Sequence, residues 1–204
     1  LGASSLAVAG TAAGCQPPSG AEGGGAAGSG PGSQGLPPSI AALTSRAPEA
    51  TPITVAERAG RIERARSLMT AGGMDALLLT GGTSMVYFTN IRWGLSERLT
   101  AVVVPVRGNA FVVTPAFEED RTREQLVESP LADAEVLTWQ EDESPYALVA
   151  DGLRSRGIAG GRIGMEETTR FVFADGVAQA APALEVVSGT PVTAGCRTVK
   201  DEHE

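Results

Sequence analysis

The sequence predicts an α/β fold, a mixed six-stranded sheet flanked by helices and preceded by a disordered leader. Three observations carry that expectation. From about residue 53 onward, short β-branched or leucine-rich runs alternate with helical segments, the pattern of a layered α/β domain. Two of those runs, Leu99 to Pro105 and Asn109 to Thr114, are joined by Val106-Arg107-Gly108 and read as a hairpin. The sheet is therefore at least partly antiparallel, unlike a doubly wound nucleotide fold. Upstream, the chain is Gly, Ser, Pro and Ala with almost nothing to bury.

Residues 1–15 read as a truncated signal segment. Leu1 to Ala13 is small, apolar and uncharged, like the hydrophobic stretch and cleavage region of a secretory signal without its basic start. Ala12-Ala13-Gly14-Cys15 resembles a bacterial lipobox, which makes Cys15 the expected lipidation site, although a Leu is usual where Ala12 stands. The plainer alternative is an Ala/Gly-rich leader whose Cys is incidental. Residues 16–52 form the expected flexible linker, since ordering a backbone costs roughly 1–2 kcal/mol per residue and nothing here offsets it. Ile40 to Leu43 is a short contact segment and Ala47 to Pro52 a loop. These features imply an exported protein of the bacterial cell envelope, touching a membrane only through a lipid anchor; the cytoplasm is the alternative.

The folded domain is expected over 53–199. Thr54 and Glu57 have the spacing of a capping box. The helix they open carries Val55, Ala59, Ile62, Ala65 and Met69 as one apolar stripe, with Arg58, Arg61, Arg64 and Arg66 on solvated faces. Gly72-Gly73 closes it. Asp75 to Thr80 is a buried strand, Ser84 to Phe88 a short helix, and the hairpin follows. Phe117 to Val127 is a helix, Glu135 to Trp139 a strand, Ser144 to Arg156 a helix and Arg162 to Met165 a strand. Thr169 to Gln179 is a helix and Leu184 to Val187 the last strand. Thr190 to Val199 reads as a connection, and residues 200–204 as the start of a further, missing domain.

Composition narrows the function. Among 204 residues, 42% are hydrophobic, 20% charged and 4% aromatic, enough apolar content for one core. A net charge of −8 argues against nucleic acid, which requires a basic face. No apolar run reaches the roughly 18 residues of a membrane-spanning helix. Cys15 and Cys196 make neither a disulfide framework nor a zinc cluster. Thr80-Gly-Gly-Thr-Ser84 lacks the lysine and spacing of a phosphate loop and reads as a tight turn. Glu118, Glu119 and Asp120 suit a first helical turn, where the helix dipole favours acids. Glu166 and Glu167 have no His or Cys nearby to complete a site. His203 is the only histidine and reads as an exposed helix start, so neither a Ser-His-Asp triad nor a three-ligand metal site can be assembled. Cys196 reads as a packed thiol.

The loop before the hairpin is the informative stretch. Tyr87-Phe-Thr-Asn-Ile-Arg-Trp-Gly-Leu-Ser-Glu-Arg-Leu99 puts Arg92, Trp93, Glu97 and Arg98 beside a core strand, where binding residues concentrate. Arg offers a fork for a carboxylate and Trp a flat apolar wall for a proline-like ring. A Glu97–Arg98 surface ion pair beside a half-buried Trp explains the same residues equally well.

The ordered set Arg61…Leu68-Met69…Gly73-Met-Asp75-Ala-Leu-Leu-Leu, Tyr87-Phe-Thr-Asn90 and Ser96-Glu-Arg-Leu-Thr100-Ala-Val-Val-Val-Pro105 resembles the N-terminal domain of the creatinase/prolidase family. These are Xaa-Pro peptidases and relatives with a pita-bread catalytic domain. The ending Cys196-Arg-Thr-Val-Lys200-Asp-Glu-His-Glu204 resembles the junction into that catalytic domain. The resemblance implies a non-catalytic dimerisation and pocket domain of a metal-dependent Xaa-Pro dipeptidase or aminopeptidase. It implies a homodimer, a small peptide substrate with proline at P1′, and two divalent ions (Mn, Zn or Co) in the missing domain. On the creatinase pattern Arg98 grips the substrate carboxylate of the partner subunit, and Trp93 lies on the loop that closes the pocket. Ser96 stands where creatinase has an aromatic, which disfavours creatine. Two alternatives remain open: a same-fold non-peptidase hydrolase of a creatine-like or other small C–N compound, and a stand-alone surface binding module.

Overall fold

The computed structural model describes residues 36–204. They divide into two compact units, one ending at Arg46 and one spanning Ala47–Glu204. In the first, helix α1 (Pro38–Ala41) is a single turn, and Leu36, Ile40 and Leu43 are exposed. Cys15 lies outside the described residues. All that follows concerns the second unit.

Helix α2 (Val55–Gly72) begins as its sequence dictates. The Thr54 hydroxyl accepts from the Glu57 backbone N–H at 3.2 Å, and the Glu57 carboxylate accepts from the Thr54 N–H at 2.6 Å. Two end donors are thereby satisfied, and acid at the first turn suits the helix dipole. Gly73 closes the helix with φ 63°, a left-handed conformation that glycine adopts without steric cost. Strand β1 (Ala76–Thr80) and helix α3 (Thr83–Thr89) come next, then β2 (Ala101–Pro105) and β3 (Phe111–Pro115).

Beyond them lie α4 (Glu119–Leu126), β4 (Glu135–Trp139), α5 (Pro145–Arg154), β5 (Gly161–Met165), α6 (Phe171–Ala180) and β6 (Leu184–Ser188). The helix expected from Phe117 starts instead as a 3₁₀ turn, Ala116–Glu118, with Phe117 66% exposed. A last helix, α7 (Thr190–Arg197), replaces the connection expected over 190–199. Pro191 can enter its first turn because no N–H is required there. Val192 and Cys196, four apart, then bury one face in the core layer that α2 shares, with α7 packed against α2.

The sheet order is β4-β3-β2-β1-β5-β6. The expected hairpin is present, with Ala101 opposite Val113 and Val103 opposite Phe111. β1 also pairs β2 antiparallel, whereas β1–β5, β5–β6 and β3–β4 are parallel. Every residue of β1, β2 and β3 is buried, because helices cover both faces.

The pleat sorts the core into two layers. Leu77, Leu79, Val102, Val104 and Val112 meet Ile62, Met69, Met85, Phe88 and Val192. Ala76, Leu78, Val103, Phe111 and Val113 meet Val149, Leu153, Phe173 and Val177. Each fully buried leucine contributes about 1.5–3 kcal/mol, so the three leucines of β1 hold both layers together.

Candidate functional site

The registers bring most of the connecting loops to one edge of the sheet. Thr80 lies opposite Ala101, Leu78 beside Met165, Met165 beside Ser188, and Pro115 beside Trp139. β1, β3, β4, β5 and β6 all end there, and β2 begins there. Open α/β sheets bind ligands outside the carboxyl ends of their strands. The 90–100 loop, expected from sequence to carry binding residues, runs along this edge.

Its backbone is fixed from several sides. Asn90 takes a left-handed conformation (φ 64°) where α3 ends. The Arg92 N–H donates to Gln125 Oε1 at 2.9 Å. The Trp139 indole N–H donates to the Leu99 carbonyl at 3.1 Å, and Arg170 Nη1 to the Ser96 carbonyl at 3.0 Å. Gly81 passes so close that a Cβ there would lie 2.8 Å from the Trp93 carbonyl oxygen. The glycines of Thr80-Gly-Gly-Thr-Ser84 therefore form a contact surface for this loop as well as a tight turn.

Trp93 is 8% exposed, more deeply packed than the half-buried residue expected, with the Arg121 guanidinium 4.4 Å from its ring centre. Arg98 lies at the surface. Its Nε donates to Glu141 Oε1 at 2.6 Å and its Nη2 to Glu141 Oε2 at 3.4 Å, while Nη1 pairs with Glu97 at 2.5 Å. The hydrogen bond to Glu141, then that carboxylate's charge, raises the Arg98 pKa above its ordinary value. Arg98 thus already holds carboxylates, in the forked geometry that the residue type suggested. Both acids are exposed, and such pairs are worth about 0–1 kcal/mol; the Glu97–Arg98 surface pair that the sequence offered as the alternative is present. The exposed Phe117 ring lies with its centre 5.5 Å from the Arg98 guanidinium, and Leu95 in the same loop is 83% exposed.

Arg58 and Arg61 do not lie on a solvated face as expected; they are buried at 8% and 7% exposure. Arg58 Nη1 donates to the carbonyls of Val86 and, at 3.1 Å, Tyr87, and Arg61 Nη1 donates to Tyr87 at 3.2 Å. Both carbonyls lie in the last turn of α3; Val86 also accepts from the Asn90 N–H at 3.0 Å, and the two cations complement the negative end of the helix dipole. Arg61 also lies over the Tyr87 ring, 4.0 Å from its centre. Arg58, Arg61 and Arg92, with Ile53, Val86, Tyr87 and Trp93, line an open cleft of about 590 Å³.

The remaining candidate residues are structural. Ser84 donates to Glu166 at 2.5 Å and accepts from Arg197 at 3.1 Å, tying α3, the β5 exit and α7 together. The Thr190 hydroxyl donates to Glu167, and that bond chiefly lowers the Glu167 pKa. Glu119 pairs with Arg123 along α4. Cys196 is 2% exposed, and burial pushes its thiol pKa up. His203 does not start a helix; its Nδ1 meets the Glu57 carboxylate at the head of α2. Among the described residues, no group of three or more His, Cys, Asp or Glu could hold a metal ion. None of their helices is long and apolar enough to cross a membrane.

The family of Creatinase/Prolidase N-terminal domains matches residues 61–199, and the chain belongs to it. An uncharacterised peptidase of Schizosaccharomyces pombe is 30% identical over 168 residues, covering 76% of this chain and 35% of the relative. The crystal structure of dipeptidase PepE from Mycobacterium ulcerans superposes with a TM-score of 0.65 at 28% identity, covering 74% of this chain and 39% of that one. The N-terminal domain of an Xaa-Pro dipeptidase from Lactobacillus brevis superposes at TM-score 0.59 and 18% identity, covering 68% of this chain and 99% of that one; it shows the shared fold. The chain thus spans about a third of the length of the curated relatives it matches.

Proposed function

We propose that this chain is the N-terminal, non-catalytic part of an exported metal-dependent Xaa-Pro dipeptidase or aminopeptidase. It pairs with a second copy and lends the 93–98 loop to the neighbouring subunit's substrate pocket. One observation carries the reading: a loop anchored by Trp139, Arg170 and Gly81 presents Arg98, engaged with two exposed carboxylates, beside exposed Leu95 and Phe117. Rigid support of an exposed fork is what recognition of a small carboxylate requires. Apolar surface of this kind is hidden in a dimer. Family membership and dipeptidase-named relatives support the substrate class.

In this reading Trp93 braces the loop from behind. The two divalent ions (Mn, Zn or Co) and the hydrolytic chemistry belong to the catalytic domain that follows in the longer relatives, and the substrate is a small peptide with proline at P1′. The lipobox-like tetrad makes Cys15 the proposed lipid anchor, with residues 16–52 as tether.

The test is Arg98→Ala in the product of the complete reading frame, assayed on Xaa-Pro dipeptides with added Mn²⁺. The expected result is a kcat/KM lowered about tenfold or more, the loss of one charge-assisted carboxylate contact, with an unchanged melting transition. Unchanged kinetics would leave Arg98 as a surface ion pair and remove the pocket role.

A further inference from the structure

The cleft beneath the 90–100 loop gathers more positive charge than the end of α3 alone calls for. Three guanidinium groups, Arg58, Arg61 and Arg92, line it, and no carboxylate does. This occurs in a chain of net charge −8. Among the described residues, neither Arg58 nor Arg92 makes an ion pair with a carboxylate. Glu57, the acid nearest in charge to Arg58, is engaged by Thr54 and His203.

Arg61 Nη2 is buried and makes no hydrogen bond. It forms ion pairs with Glu204 at 3.4 Å and Asp201 at 3.7 Å, neither of which makes a hydrogen bond to it. The cations also disfavour one another: burial first, then the charges of Arg61 and Arg92, lowers the Arg58 pKa. Donor capacity is therefore unspent where positive charge is crowded.

The geometry is fixed before any ligand arrives. The bonds that cap α3 hold Arg58 and Arg61 in place, so little side-chain freedom remains to be lost on binding. Ile53, Val86, Tyr87 and Trp93 supply the apolar remainder, and a volume of about 590 Å³ falls in the small-molecule range. We propose that this cleft is a binding site for a small organic dianion with a flat apolar body, of the aromatic dicarboxylate class. Two guanidinium groups neutralise the two carboxylates, and the body rests against the Tyr87–Val86–Trp93 wall. The proposal uses neither Arg98 nor a second copy of the chain, so it stands or falls separately from the pocket-wall reading.

The experiment titrates the 204-residue chain with isophthalate, and in parallel with its uncharged diamide, by calorimetry at constant ionic strength. The expected result is saturable one-to-one binding of isophthalate, at least about tenfold tighter than the diamide. Arg92→Glu, at an exposed position that supports no other element, should weaken it by about tenfold or more with the melting transition retained. Arg123→Gln, on the outer face of α4, should bind like the parent. Absence of saturable isophthalate binding would overturn the proposal. So would equal affinity for the diamide, or unchanged binding by a folded Arg92→Glu variant.

Discussion

The backbone of Gly81 lies against the carbonyl of Gly94 so closely that a Cβ at residue 81 would stand 2.6 Å from that oxygen. The turn leaving β1 and the loop entering β2 are thus packed backbone to backbone, and the position of Arg98 depends on a missing side chain.

Gly81→Ala should therefore destabilise the domain by roughly 1–3 kcal/mol, the usual cost of forcing atoms into a packed contact. Urea denaturation would measure the loss. Because the loop must move, Trp93 fluorescence in the folded state should shift as well. A native-like spectrum with native stability would show that the contact relaxes without displacing the loop.

Arg58→Met keeps the bulk of the stem but removes the charged donor from the Val86 and Tyr87 carbonyls, which keep only the Asn90 N–H and Arg61. Hydrogen bonds involving a charged group contribute about 1.5–3 kcal/mol, so a loss of that order is expected in the denaturation midpoint at constant slope. Arg64→Met, at an exposed position of the same helix, should cost much less. The midpoints of the two variants decide the matter.

These arginines also mark where sequence reasoning stopped. The capping box, the hairpin and the strand Glu135–Trp139 could be read because local chemistry or a period of two determines them. Arg58 and Arg61 are buried by a tertiary event, the end of α3 meeting the side of α2, which no spacing within α2 announces. The available signal was positional: 58, 61, 65 and 69 continue the buried line at helical steps, whereas Val55 and Ala59 fall outside it and are exposed. Helix α7 was illegible for a related reason. Thr190-Pro-Val-Thr-Ala-Gly-Cys-Arg197 is poor in helix formers, and the burial of Val192 and Cys196 overrides that preference. At the candidate site the loop's place beside a core strand was legible, but Glu141 and Arg170, the partners that distant segments bring to it, were not.

The Glu57–His203 pair predicts a pH window. Hydrogen bonds from Thr54, ahead of the one from His203, lower the Glu57 pKa from 4.5 to about 2. Its contribution to stability is present above the unfolded value and lost as pH falls through the folded one. The Glu57 carboxylate raises the His203 pKa above 6.5. That contribution is complete below 6.5 and disappears as pH rises through the folded value. Stability should thus decline on the alkaline side in the parent but stay flatter there in His203→Gln, measured by denaturation midpoints across pH. Identical profiles would remove the pair from the account.

Cys196 should resist thiol reagents. In a Cys15→Ser background, the buried thiol with its raised pKa should give no rapid reaction with an aromatic disulfide at pH 8 until denaturant is added. Rapid labelling of the folded variant would show that α7 opens readily.

The place of β1 in the sheet has a consequence for biosynthesis. The first strand made becomes an interior one, and its partner β5 leaves the ribosome long after β2 has covered its other side: Ala76 waits for Ile163. During that interval Leu77, Leu78 and Leu79 present an open, apolar strand margin to every neighbouring nascent chain. A chain cut short before Gly161 would carry four of the six strands, with the free side of β1 a ready template for intermolecular pairing. Elongation through the β5 codons is thus the step that closes the window for aggregation.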